Sequence, residues 1–138
     1  MNRISWDWNP GVAVGPFQFG SDAGDVIARF GLRKLEPDCF SAFWDSYEIP
    51  DCESSISVED NKIASVECYD HLYHKSKDIL SLDISHARSI LGPETKSEVH
   101  PYVEGILVVY YDDLGLTLFV DGERIESATC NERQTEQI

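Results

Sequence analysis

The chain has 138 residues, 42% hydrophobic and 11% aromatic, and its 25 acidic against 11 basic side chains leave a formal net charge of −14. Such a composition excludes a disordered chain, because there is enough apolar surface to bury a core without disulfides or a metal. A field of this sign repels nucleic acid and anionic membrane and speeds encounter with a basic protein.

The opening Met1-Asn2-Arg3-Ile4-Ser5-Trp6-Asp7-Trp8 turns polar and aromatic at once, so no secretory signal is expected and a cytoplasmic location is. In that setting the four cysteines, Cys39, Cys52, Cys68 and Cys130, read as free thiols. Gly11, Gly15 and Gly20 carry neither a phosphate loop nor a dinucleotide fingerprint and read as turn residues. Ser21 or Asp22 then caps a short helix over Ala23 to Phe30, with Val26, Ile27 and Phe30 on one face and a stop at Gly31. Arg33 to Asp38 is expected to be a loop, marked by Glu36-Pro37-Asp38.

Phe43 to Ile49 has the composition of a strand, and Ile56 to Cys68 alternates about Asp60-Asn61 as a hairpin does. Cys68, Asp70, His71 and His74 gather potential metal ligands, but strand alternation would send them to opposite faces, so no metal and no cofactor is expected. Asp83 caps a second helix, Ile84 to Leu91, ending at Gly92. Asp83, Ser85 and His86 are the letters of a hydrolytic triad, yet neighbours at a helix start cannot adopt those roles, and no catalytic residue is assigned. Pro93 to Pro101 reads as a loop, and Ile106 to Tyr111 as a buried strand far shorter than the roughly 20 residues of a membrane helix. Leu118 to Cys130 forms a second hairpin about Asp121-Gly122, and Asn131 to Ile138 is expected to be a loose tail.

The helices recur 61 residues apart and the hairpins 62 apart, with Lys62 and Arg124, Ile63 and Ile125, and Cys68 and Cys130 in equivalent places. These spacings predict one domain over 1–138 with an internal repeat at about 15–68 and 78–130. The fold class expected is α+β: two tandem helix-plus-three-strand units forming an antiparallel sheet, with helices packed on one face.

Between Glu36 and Asp60 eight acids occur with no lysine or arginine, interleaved with Trp44, Tyr47 and other apolar residues. Carboxylates on a rigid frame beside aromatic anchors suit recognition of a basic surface. Trp44, Asp45, Glu48, Asp51, Glu53, Glu59 and Asp60 are therefore the first contact candidates, followed by Tyr110, Tyr111, Asp112 and Asp113 in the second half.

The opening Trp8-Asn9-Pro10-Gly11-Val12-Ala13-Val14-Gly15-Pro16-Phe17-Gln18-Phe19-Gly20, the short helix ending at Gly31, and Leu114 to Ile125 together resemble small immunity proteins of bacterial contact-dependent growth inhibition and related polymorphic toxin systems. That resemblance implies a cytosolic, non-enzymatic inhibitor that binds a cognate toxin, often a nuclease with a basic cleft. The tandem layout also resembles β-lactamase inhibitor proteins and BamE-like lipoproteins, which implies a periplasmic inhibitor or structural module as the alternative. A small metal-dependent enzyme using the Cys68 to His74 cluster is a further alternative.

Overall fold

The computed structural model describes residues 4–36 and 44–132, so the expectations for Asp38, Cys39, Phe43 and the tail beyond Glu132 lie outside the described residues. Among the described residues there are two eight-residue α-helices, α1 at Ala23–Phe30 and α2 at Ile84–Leu91. Their caps explain their limits. The Asp22 carboxylate accepts from the Gly24 amide, the Asp83 carboxylate accepts from the His86 amide, and Gly31 ends α1 in the left-handed region.

The remainder is dominated by strands. A small meander, β1 (Trp8–Asn9), β2 (Ala13–Val14) and β3 (Phe17–Gln18), opens the chain. Further on come β4 (Arg33–Lys34), β5 (Asp45–Glu48), β6 (Ser55–Glu59) and β7 (Lys62–Cys68). A two-stranded ribbon, β8 (Tyr73–His74) and β9 (Lys77–Asp78), precedes α2. After α2 follow β10 (Lys96–Val99), β11 (Ile106–Tyr111), β12 (Leu116–Asp121) and β13 (Arg124–Asn131). Eight strands join in one antiparallel sheet of order β10-β11-β12-β13-β7-β6-β5-β4.

This corrects the expected fold class. The protein is mostly β, with one large sheet rather than two helix-plus-three-strand units. The stretches expected as loops after each helix contain the two edge strands, β4 and β10. Every residue of both is exposed, and a strand with no buried face writes no alternation of apolar and polar residues.

The sheet runs in mirror order about its central pair, with Glu67 opposite Thr129 at the midpoint. Bulges interrupt β6–β7 at Ser57/Val58 and β12–β13 at Phe119/Val120. Each helix start hangs from the turn of a hairpin: the Ala23 amide donates to the Asn61 carbonyl and the Ile84 amide to the Glu123 carbonyl, both at 2.8 Å. One face of the sheet supplies the core through Ile56, Val58, Ile63, Val66, Leu116, Leu118, Val120 and Ile125, joined by Ala23 and Val26 of α1, Ala87 of α2 and Phe17 of the meander. Each fully buried aliphatic side chain there contributes about 1.5–3 kcal/mol. No described helix is long and apolar enough to cross a membrane.

Candidate protein-binding face

Alternation along the strands sends every second side chain away from the helices, onto a face that neither helix covers. One register row crosses all eight strands there. It runs Lys96, Tyr110, Thr117, Thr129 on one side of the midpoint and Glu67, Ser55, Glu48, Arg33 on the other. The row is polar throughout except for the Tyr110 ring, as a solvent-facing sheet surface should be.

Glu67 is the centre of the first half. Its Oε1 accepts from the Ser57 hydroxyl at 2.8 Å and the Ser65 hydroxyl at 2.7 Å, with Ser55 3.4 Å from Oε2. Charge-assisted hydrogen bonds of this kind hold a carboxylate in a fixed place. Around it lies a hollow of about 400 Å³ walled by Trp44, Ser57, Glu59, Ala64, Ser65, Asn131 and Glu132. Three carboxylates line this hollow, and among the described residues no basic side chain does. Asn131 also borders a second hollow of about 240 Å³, bounded by Tyr110, Asp112, Gly115, Leu116 and Thr117.

The candidate residues divide as follows. Trp44 and Glu59 line the first hollow, and Tyr110 and Asp112 the second. Glu48 is on the open face but is ion-paired with Arg33 at the sheet edge. Asp45 stands in register with Val58, hence on the helix side, paired to Lys34 at 3.4 Å. Asp51 and Asp60 occupy exposed turns with φ of 66° and 51°. Glu53 is exposed, and its amide donates to the Asp70 carboxylate. Asp113 is exposed in a 3-10 turn, Asp112–Leu114. Tyr111 is buried on the helix side, its hydroxyl donating to the Gly92 carbonyl at 2.9 Å, and cannot meet a partner.

Glu67, Ser57, Ser65, Asn131 and Glu132 were not among the candidates, although Ser65-Val66-Glu67-Cys68 has the period-two pattern that exposes Ser65 and Glu67 together. The Tyr110 hydroxyl donates to Glu98 at 2.6 Å, and this bond, with partial burial and the Glu98 charge, raises the phenol's pKa.

The histidine cluster disperses. Cys68 is buried in the core, His71 bonds the Asp78 carboxylate at 2.9 Å, and His74 packs on Trp8 with its ring centre 5.1 Å away. Burial and neighbouring Lys75 lower the pKa of His74. No group of three or more His, Cys, Asp or Glu among the described residues is placed to hold a metal. At the start of α2, Asp83 accepts from both the amide and the Nδ1 of His86 and so works as a helix cap; its pKa is lowered chiefly by the amide. Cys52, Cys68 and Cys130 are free thiols.

No family model matches the sequence, and no curated protein does. Among solved structures, the chain is similar to the crystal structure of a DUF4309 family protein, YjgB, from Bacillus subtilis, with a TM-score of 0.57 and 15% identity over 86% of this chain and 84% of that one. The likeness is one of fold.

Proposed function

We propose that this protein is a non-enzymatic, stoichiometric inhibitor that docks its open sheet face on a basic protein domain, in the manner of an immunity protein neutralising a nuclease toxin. The observation that carries the reading is the open sheet face: Glu59, Glu67 and Glu132 line one hollow, Trp44 walls it, and among the described residues no lysine or arginine lines it, Lys62 standing opposite Glu59 in the adjoining hollow. A basic cleft that binds phosphate-rich substrate presents lysines and arginines at the spacing such a surface can pair with, and occupying it blocks substrate without chemistry. The net charge of −14 adds long-range steering to the local fit. Cytoplasmic action follows from the same reading.

The test pairs the protein with the product of the adjacent gene, measuring binding by calorimetry and residual activity of that product. A one-to-one complex that abolishes activity is expected. Glu59→Lys with Glu132→Lys should slow association about tenfold or more and flatten its dependence on salt, because exposed interfacial charges act mainly on encounter. A complex indifferent to both reversals would remove this face from the mechanism, and a product that is neither bound nor inhibited would refute the immunity reading.

A further inference from the structure

The eight-stranded sheet ends on β10, whose outer edge no described strand covers. The His100 amide donates to the Ile106 carbonyl at 2.8 Å, which sets the phase of the β10–β11 ladder. Even-numbered residues of β10 turn their backbone groups toward β11, and alternation turns those of Ser97 and Val99 outward. The two most exposed large hydrophobic side chains among the described residues, Val99 at 73% and Tyr102 at 82%, lie on this strand and just after it. An exposed apolar side chain beside an open strand edge is the usual footprint of strand addition.

We propose that β10 pairs antiparallel with β10 of a second copy, in the register that places Ser97 opposite Ser97. Only a few registers let outward-facing backbone groups meet. Shifting by one step sets Lys96 against Lys96, and by one step the other way Glu98 against Glu98; both place like charges directly opposite each other. In the register with Ser97 at the centre, Lys96 of each copy faces Glu98 of the other, twice by symmetry. Both side chains are already held on the open face by Tyr110, whose ring centre lies 4.8 Å from the Lys96 ammonium and whose hydroxyl bonds Glu98. A two-fold axis perpendicular to the sheet keeps both acidic faces on the same side, so the assembly would offer two hollows to one partner surface.

Four residues per edge bury less than a standard interface, so the dimer belongs to the micromolar range or weaker and must form against the repulsion of two acidic chains. At about 0.15 M salt the Debye length of about 8 Å damps that whole-chain repulsion while leaving contact-range pairs. Sedimentation of the full chain from about 10 μM to 1 mM should show the average mass rising toward twice 15.6 kDa. Lys96→Glu or Glu98→Lys should each weaken the dimer about tenfold, and the two together should restore it, because the swapped charges again face opposite partners. Ser97→Pro, tolerated on a free edge, should abolish it by removing the central donor. A mass that stays monomeric, single reversals without effect, or a double swap that fails to rescue would each overturn the proposal.

Discussion

Gly115 is where β12 leaves the 3-10 turn, with φ +65°, and an added Cβ would sit 2.1 Å from the Asn131 carbonyl oxygen and 3.0 Å from its carbon. That is roughly 1 Å closer than Cβ atoms approach other atoms. The obstruction is backbone, held in place because the Asn131 amide donates to the Gly115 carbonyl at 2.8 Å. Gly122, in the β12–β13 turn, has the same φ of +65° but open space around it. Gly122→Ala should therefore cost only the left-handed conformation, about 1–2 kcal/mol. Gly115→Ala adds the clash and the displaced pairing of β12 with the end of β13, about 2 kcal/mol more. With a urea slope of about 1–3 kcal/mol/M, the midpoint of Gly115→Ala should fall about 1 M below that of Gly122→Ala by circular dichroism. Coincident midpoints would refute the claim that this close approach matters. Because Asn131 borders both hollows, Gly115→Ala should also disturb the open face, whereas Gly122→Ala should not.

Tyr111→Phe keeps the buried ring and leaves the Gly92 carbonyl without its hydroxyl donor, so a loss of about 1 kcal/mol in urea titration is expected. Glu94 forms a two-bond pair with Arg88, at 2.6 and 3.2 Å, and the Arg88 hydrogen bonds hold its carboxyl below the usual range. A depressed folded pKa stabilises above the unfolded value, about 4.3, and that contribution is lost as pH falls through the folded value. Titrating the urea midpoint from pH 6 to about 3 should thus show a shallower decline in Glu94→Gln than in the unaltered protein, and identical slopes would contradict the pairing.

The parts of the fold that could be read from sequence are those where a local chemical requirement fixes the residue. Asp22, Asp83 and Gly31 mark helix ends because amides need acceptors and the chain needs a left-handed residue. The first hairpin turn falls on Asp60-Asn61 as expected, both with positive φ. The second lies one residue beyond Asp121-Gly122, at Gly122 and Glu123, because Asp121 stays paired with Arg124. The edge strands were illegible because pairing on one side and exposure on both faces leave no constraint on side-chain type. The division of the contact candidates between the two faces has a related reason. A run of acids contiguous in sequence does not make one patch, because in a strand neighbours oppose, so Asp45 goes to the helix side while Glu48 goes to the open one. The same rule separates Tyr110 from Tyr111.

The near-symmetry of the sheet sharpens what the open face can recognise. At several equivalent positions of the open face the two halves share a backbone but not a chemistry. Glu67 answers to Thr129 across the midpoint, and Ser57 corresponds to Phe119, on whose ring His100 packs at 6.3 Å. Nearby Val108 is buried on this face, outside the main core. One half of the face therefore offers a fixed carboxylate among hydroxyls, and the other offers aromatic and aliphatic surface with a tyrosine at its margin. A symmetric surface would accept a partner in two orientations related by the midpoint. Under the proposed docking this one would penalise the wrong orientation, since an apolar group seated on Phe119 would be carried onto Ser57 beside the Glu67 carboxylate. Under the proposed docking, the divergence of the two halves would act as an orientation device, with the basic contacts of the partner over the Trp44, Glu59 and Glu67 side.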